Sequence, residues 1–235
     1  MKTDLQTKFL THFLFVFLFA LVTSYAQTTT PFTQRYEIQG INGDLTIIGN
    51  SILGDSPDTP YNGEEKNNSI EMVFVDVDSN PNTFNSSSAR FTTNSCNRIV
   101  YAGLYWGSVA APTNLEPENI KFKVPGRGYQ DITADETIDL IYYKDVTDLV
   151  ANNGTISGNY WVANISSSEG RSSAAGWSLV IVYEDPSETR KYISTFDGFS
   201  AVTDGSNNQV DFNYSGFTTP PSGPVEGRVG VAALE

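Results

Sequence analysis

Oxygen-bearing side chains at alternate positions are the clearest candidates for chemistry in this sequence. Asp76, Asp78 and Asn80 follow one another as the first ligands of a calcium-binding loop do. The rest of an EF-hand loop is missing, because Pro81 stands at its glycine position and Ser87 at its bidentate glutamate position. Such a site could be completed by acidic residues of an upstream loop, Asp55, Asp58, Glu64 and Glu65. Two interpretations stay open: a calcium site, or side chains that cap the turn after a strand.

Two adjacent aromatic residues, Tyr160 and Trp161, are the candidates for ligand binding. Successive side chains of a strand point to opposite faces, so the two rings are expected to separate. If only one face of the strand is buried, one ring is exposed and can stack on a sugar or a partner protein. If both faces are covered, both rings belong to the core.

Catalytic groups are few, and we expect no enzyme. Ser178 follows Gly176 and Trp177 like the start of a hydrolase nucleophile elbow, but Val180 replaces the final glycine of that motif. Histidine occurs once, at position 12, within a predicted signal peptide. Cys96 is the only cysteine, which excludes an internal disulfide, and we expect it to be a small buried residue. A pair of carboxylates acting as in glycosidases stays open, although no spacing singles one out.

The element that must position these residues is the apolar stretch Ala175–Asp185. On a strand, Trp177 and Leu179 point to one face and Val180 to the other, so both faces are apolar. A strand with two apolar faces is typical of a sheet interior covered on both sides. Ile99–Gly107 has the same character. We therefore predict two core strands.

Shorter stretches complete the predicted fold. Further strands are expected at Tyr36–Gln39, Asp44–Ile48, Ile70–Asp78, Asn119–Val124, Ile138–Tyr143, Asn159–Ile165, Lys191–Phe196 and Val210–Tyr214. Asn42-Gly43 predicts a hairpin between the first two. Asp145–Asn152 predicts the one short helix, with Asp145 as its N-cap. Many short strands and almost no helix indicate an all-β protein, an antiparallel β-sandwich that is jelly-roll-like.

The first 26 residues predict export. Charged residues precede the mostly apolar Phe9–Val22, and small residues precede a cleavage site after Ala26. The apolar run is shorter than the ~20 residues that cross a bilayer, so we expect a cleaved signal peptide and no transmembrane segment afterwards. Residues 27–34 are expected to be a disordered N-terminus and 35–235 the β-sandwich module. Because the apolar stretch Val229–Leu234 comes just before the end, we expect either a longer chain or a module secreted alone.

Net charge narrows the choice of partner. Cleavage removes Lys2, Lys8 and Asp4, which changes 14 basic and 27 acidic side chains to 12 and 26, and gives a net charge of −14. A surface of that charge, without a basic cluster in the sequence, repels phosphate backbones. Nucleic acid is therefore not an expected partner.

Several phrases resemble the N-terminal module of large exported surface proteins of gliding bacteria, which end in a gliding-motility-associated C-terminal region with a type B signal for type IX secretion. The phrases are GDLTIIGNSILG (Gly43–Gly54), VFVDVDSNPNTFNSSSA (Val73–Ala89), IVYAGLYWG (Ile99–Gly107), YYKDVTDLV (Tyr142–Val150), NYWVANI (Asn159–Ile165), AGWSLVIVYED (Ala175–Asp185) and FDGF (Phe196–Phe199). Together they cover most of Gly43–Glu235. Unlike that family, this sequence carries no downstream repeats and no sorting domain.

The resemblance implies a non-enzymatic, adhesin-like module that is extracellular or on the cell surface. It implies surface glycans or other surface proteins as partners, further domains downstream in a longer chain, and no known catalytic residues. The alternative is a carbohydrate-binding module of a secreted polysaccharide-degrading system. A coplanar pair of exposed aromatic rings favours the alternative, and a smooth polar surface favours adhesion. Calcium, if bound, is the expected cofactor.

Overall fold

A computed structural model describes residues 29–61, 67–94, 96–109, 116–201, 210–216 and 222–233. The chain divides into two compact units. One comprises Thr30–Phe199 with Asp211–Glu235; the other comprises Met1–Thr29 with Ser200–Val210 and lies mostly outside the described residues. The predicted signal peptide, residues 1–26, lies wholly outside them.

Twelve strands and one α-helix make up the described elements. The strands are β1 Thr29–Ser51, β2 Leu53–Gly54, β3 Val73–Phe74, β4 Ser86–Phe91, β5 Arg98–Ser108, β6 Asn119–Lys123, β7 Gln130–Thr133, β8 Glu136–Ile138, β9 Ile141–Asp145, β10 Gly158–Ala163, β11 Ala175–Glu184 and β12 Arg190–Ser200. The helix α1 is Thr147–Ala151, and a single 3-10 turn covers Asn67–Ser69. In the part of the chain that the structure describes, no helix is long and apolar enough to cross a membrane.

Two larger sheets and a small one hold these strands. The six-stranded sheet has the order β12-β1-β11-β5-β9-β8, the four-stranded sheet β4-β10-β6-β7, and β2 pairs with β3. The strand pairs within the sheets are antiparallel, as in β1 with β11 and β10 with β4. This arrangement confirms the predicted all-β antiparallel sandwich with one short helix.

The strand β11 lies inside the six-stranded sheet, as its two apolar faces predict. It pairs with β1 on one side and with β5 on the other, where Trp177 stands opposite Trp106. On one face Leu179 and Ile181 join a core that also contains Phe122 and Tyr160 from the four-stranded sheet. On the other face Val180 and Val182 belong to a second core with Tyr101, Ile41 and Ile193. Both faces are therefore covered by protein.

The six-stranded sheet curls, and Arg35 spans its two edges. From β1, the Arg35 guanidinium donates to Asp197 on β12 through Nε (2.6 Å to Oδ2) and to Glu136 on β8 through Nη2 (2.7 Å to Oε2). It also lies 4.3 Å from the centre of the Tyr143 ring on β9. Because β12 and β8 are the opposite edges of this sheet, one side chain holds the curl closed.

The predicted hairpin at Asn42-Gly43 is wrong, because β1 runs through it as one strand of 23 residues. Gly40 has a positive φ of 72° in this strand. Upstream, the Ser194 hydroxyl of β12 donates to the Tyr36 carbonyl; from Gly43 onward the partner is β11. A Cβ at Gly43 would lie 2.0 Å from the Tyr183 carbonyl oxygen, so the glycine serves close pairing and not a turn.

The start of β1 also differs from the sequence prediction. Residues 27–34 are predicted to be disordered, but β1 begins at Thr29, so those from 29 onward belong to the strand; 27 and 28 lie outside the described residues. The position beside β12 explains the difference, since Gln34 donates to the Ser194 hydroxyl on that strand at 2.9 Å. Neighbouring strands order a polar stretch that has few apolar residues of its own.

Turns and polar strands account for smaller differences between the predicted and the observed strands. A turn with Asp139 at φ 57° divides the predicted strand Ile138–Tyr143 into β8 and β9. The predicted strand Ile70–Asp78 shrinks to β3, and β4 forms in a stretch for which no strand is predicted. Residues 210–214 form no strand. Cys96 is exposed, which corrects the expectation that it is buried.

Candidate ligand-binding site on the four-stranded sheet

The strand β10 separates the two predicted ligand-binding residues, as the alternation of strand side chains requires. Tyr160 is completely buried, its hydroxyl donates to the Ile156 carbonyl at 2.7 Å, and its ring stacks on Phe122. It is therefore a core residue, and its assignment to ligand binding is wrong. Trp161 is half-buried on the outer face, where it stands opposite Ser88 of β4 and Lys123 of β6.

Lys123 lies between two aromatic rings on this outer face. Its ammonium nitrogen is 4.7 Å from the centre of the Trp161 ring and 5.0 Å from the centre of the Tyr129 ring. Both distances are within the range of a cation–π contact. The side chain keeps 27% of its surface exposed. The ammonium is thus held in place by ring faces, while part of the side chain that carries it still meets solvent.

Asp78 completes the cluster from the loop that follows β3. The Tyr129 hydroxyl donates to Asp78 Oδ2 at 2.8 Å, and the Lys123 ammonium lies 4.0 Å from the same oxygen. Burial first, and then the hydrogen bond to this carboxylate, raise the pKa of Tyr129 far above its ordinary value, so the hydroxyl stays a donor. Asp78 and Trp161, which the sequence presents as parts of two different sites, thus meet in one cluster, which we name the Trp161 site. It consists of Trp161, Lys123, Tyr129, Asp78 and Ser86.

The remaining calcium candidates, Asp76 and Asn80, form hydrogen bonds in the turn that follows β3. Ser86 Oγ lies 2.8 Å from Asp76 Oδ1 and 2.9 Å from Asp78 Oδ1, and its single proton serves one carboxylate at a time. The Asn80 backbone N–H donates to Asp78 Oδ1, and the Asn82 N–H donates to Asn80 Oδ1 at 3.0 Å. These are side-chain-to-backbone bonds of the kind that cap turns. The structure therefore contains the contacts that the turn-capping interpretation requires.

Calcium at this position would compete with contacts already made. Asp78 accepts from the Tyr129 hydroxyl and the Asn80 N–H and lies beside the Ser86 hydroxyl and the Lys123 ammonium, so a cation that binds there must displace some of these contacts. The loop with Asp55 and Asp58 passes close by, since the Asp76 N–H donates to the Pro57 carbonyl. Glu64 and Glu65 lie outside the described residues. Among the residues that the structure does describe, no three His, Cys, Asp or Glu side chains form a metal-binding group.

Two further cations share the outer face with Trp161. Arg90 on β4 is exposed and stands opposite Asn159, two residues along the strand from Trp161. Lys121 on β6 stands opposite Ala163 and forms an ion pair of 2.6 Å with Asp131 on β7. The face therefore carries basic side chains on both sides of the half-buried indole.

Sequence reasoning missed Lys123, Tyr129 and Ser86. Alternation in Asn119–Lys123 does place the lysines on one face and Phe122 on the other. It cannot show that β6 lies beside β10, because that depends on a pairing across 38 residues between Lys123 and Trp161. The site therefore depends on the register of β10 with β6, which places Trp161 opposite Lys123.

No protein-family model, curated protein or solved structure matches this chain.

Proposed function

We propose that this chain is a non-enzymatic, secreted cell-surface module that acts in adhesion, within a gliding-motility-associated or type IX-secreted multidomain protein. The observation that carries the proposal is the position of the Trp161 site on the outer face of a sheet. A sheet face presents side chains from several strands to an extended partner at once. A partly buried tryptophan is among the residues that most often anchor contacts between macromolecules.

The bonding of the acidic groups supports a binding role over a catalytic one. A glycosidase needs two carboxylates with the sugar between them. Between Asp76 and Asp78 lies the Ser86 hydroxyl, which is within hydrogen-bonding distance of both. The mature sequence also contains no histidine to act as a general base near neutral pH.

The phrases that resemble gliding-bacterial surface proteins, together with the predicted signal peptide, support the location outside the cell. The same resemblance supports an adhesin-like protein in which this module precedes further domains. Surface glycans and other surface proteins are the partners that fit this setting.

A carbohydrate-binding module of a polysaccharide-degrading system is the second candidate, and the half-buried indole of Trp161 favours it. Against a simple stacking platform stands Lys123, whose ammonium lies over both the Trp161 and the Tyr129 ring. The two rings therefore do not offer a pair of bare, coplanar faces, which favours adhesion as the first candidate.

Attachment under flow tests the proposal. Beads coated with residues 27–235 are expected to stay attached to the surface polysaccharide of a gliding bacterium, and Trp161→Ala should reduce the attached fraction several-fold. Phe84→Ala, which removes an exposed aromatic ring from a loop, is the matched control and should leave attachment unchanged. The polysaccharide should be recovered with its chain length unaltered. Attachment no better than that of uncoated beads, or shortened polysaccharide, would contradict the proposal.

A further inference from the structure

We infer that the Trp161 site binds an acidic polysaccharide, with the Lys123 ammonium facing a sugar carboxylate and the exposed part of the Trp161 indole in contact with the sugar ring. This inference rests on the proposed function and names its ligand class.

Lys123 carries hydrogen-bond donors that the described protein does not use. An ammonium has three N–H donors, yet no described residue offers Lys123 an acceptor within hydrogen-bonding distance; the nearest carboxylate oxygen, Asp78 Oδ2, is 4.0 Å away. Its two ring contacts hold the nitrogen in place without accepting these protons in conventional hydrogen bonds. A ligand oxygen can therefore bind Lys123 without first displacing a protein partner.

Asp78 does not cancel the charge of Lys123 through a direct bond. Its carboxylate already accepts from the Tyr129 hydroxyl at 2.8 Å and the Asn80 N–H at 3.3 Å, and the Ser86 hydroxyl lies at 2.9 Å. Only 13% of the Asp78 side chain is exposed, half the fraction of Lys123. An approaching ligand thus meets the Lys123 side chain more readily than that of Asp78.

A second free cation lies on the other side of the indole. Arg90 is exposed, and no ion pair or side-chain hydrogen bond joins it to another residue in the described ranges. Its strand, β4, lies two strand spacings from β6 across β10, which is about 10 Å. Trp161 lies on the strand between them, directly opposite Lys123 and two residues along from the position opposite Arg90, so the diagonal order across the sheet is cation, aromatic ring, cation.

This order matches a polymer of uronic acids, in which apolar ring faces and carboxylates recur along the chain. Lys121 extends the basic row but is already paired with Asp131. A neutral glycan would use the indole but would leave Arg90 without a counter-charge and Lys123 with only the carboxylate of Asp78, 4.0 Å away. This charge complementarity is confined to the outer face of the four-stranded sheet, because the protein as a whole is strongly acidic and repels an anionic polymer elsewhere.

Binding of one polymer backbone in two charge states tests the inference. The mature chain, residues 27–235, is titrated with polygalacturonate and with its methyl ester, which keeps the sugar rings and removes the charge. Polygalacturonate should bind about tenfold or more tightly than the ester, and Lys123→Met should abolish most of that difference. Arg90→Met, at an exposed position with no partner to lose, should weaken polygalacturonate binding in the same direction.

Lys144→Met is the matched control, since it removes one positive charge from β9 in the other sheet. It should leave the preference for polygalacturonate unchanged. Equal binding of both polymers, or undiminished binding by both Lys123→Met and Arg90→Met, would overturn the inference. If beads still attach under flow while polygalacturonate does not bind, the adhesive function stands and only the ligand class fails. If neither bead attachment nor polygalacturonate binding is observed, both the adhesive function and the ligand class are contradicted.

Discussion

At the level of residues, a hydrogen bond between two buried side chains connects the two main sheets. The Trp177 indole N–H on β11 donates to the Ser87 hydroxyl on β4 at 2.9 Å, and both residues are buried. Trp177 thus contributes its apolar surface to the core while its one polar atom has an acceptor. The acceptor is a serine from a polar stretch, and this explains why a serine lies inside the protein.

Removing that acceptor should destabilise the fold. Ser87→Ala leaves the buried indole N–H without a partner, and we expect the free energy of unfolding to fall by about 1–3 kcal/mol. Urea unfolding followed by tryptophan fluorescence measures the change. Ser88→Ala, the same substitution one residue along on the outer face, should cost less than about 0.5 kcal/mol. Equal losses in the two variants would show that the bond has no special role.

The contacts of Asp78 also lead to an expectation for calcium. The Tyr129 hydroxyl and the Asn80 N–H already donate to this carboxylate and the Lys123 ammonium lies 4.0 Å away, so millimolar calcium should leave the midpoint of thermal unfolding where it is in chelator. Melting of the mature chain in both conditions measures this. A midpoint several degrees higher in calcium would show that Asp76 and Asp78 rearrange into a site. Asp78→Asn should then remove the increase.

At the scale of elements, Arg35 holds β1 against both edges of the curled sheet. Its hydrogen bonds to Asp197 raise the pKa of Arg35 further above its ordinary value, so the guanidinium stays charged. Asp197 is 9% exposed and also accepts from the Tyr105 hydroxyl at 3.0 Å. Taking Arg35 away therefore leaves a nearly buried carboxylate with one neutral donor.

Arg35→Met should lower the free energy of unfolding by about 2–4 kcal/mol, because the charged carboxylate of Asp197 then stays nearly buried without its cationic partner. Chemical denaturation measures the loss. Arg171→Met breaks an ion pair whose two side chains are 68% and 72% exposed, and it should cost at most about 1 kcal/mol. If the two variants lose the same stability, Arg35 does not close the sheet. Asp197→Asn in the Arg35→Met background should recover part of the loss.

Elements with apolar periodicity could be predicted from the sequence, and those built from polar residues could not. The two apolar faces of β11 identify a central strand. β4 begins with three serines, and the neighbouring Asn85 is buried because its side chain bonds both the N–H and the carbonyl of Ile165. Such burial depends on partners 80 residues away, which no local pattern contains. The hairpin at Asn42-Gly43 failed for the same reason, since glycine there serves contact with β11.

Some residues of the Trp161 site could likewise be predicted from the sequence, and others could not. Trp161 and Asp78 are recognisable from residue type and local spacing, and both belong to the site. Lys123 and Tyr129 join them through the registers of β6 with β10 and of β6 with β7. Tyr160 was misassigned because the sequence does not say which face of β10 the core covers.

For the molecule as a whole, both cores contain a buried tyrosine, Tyr160 between the sheets and Tyr101 on the other face of the curled sheet. Burial is the largest cause that raises the pKa values of Tyr101, Tyr105 and Tyr143 in the curled sheet, and the same holds for Tyr160 between the sheets. The folded protein therefore holds these phenolic protons more tightly than the unfolded chain does. The consequence for stability lies at alkaline pH.

Below the ordinary tyrosine pKa of about 10, both states keep these protons and the tyrosines add no pH dependence. Above it, the unfolded chain releases them while the folded chain retains them, so the free energy of unfolding should fall as pH rises. Phenolate absorbance and β-sheet circular dichroism, recorded together, should show Tyr101, Tyr105, Tyr143 and Tyr160 titrating only as the sheet signal is lost. The chain in denaturant, titrating in one step near pH 10, is the reference. Ionisation of every tyrosine in that same step, with the sheet signal intact, would contradict the burial of these hydroxyls.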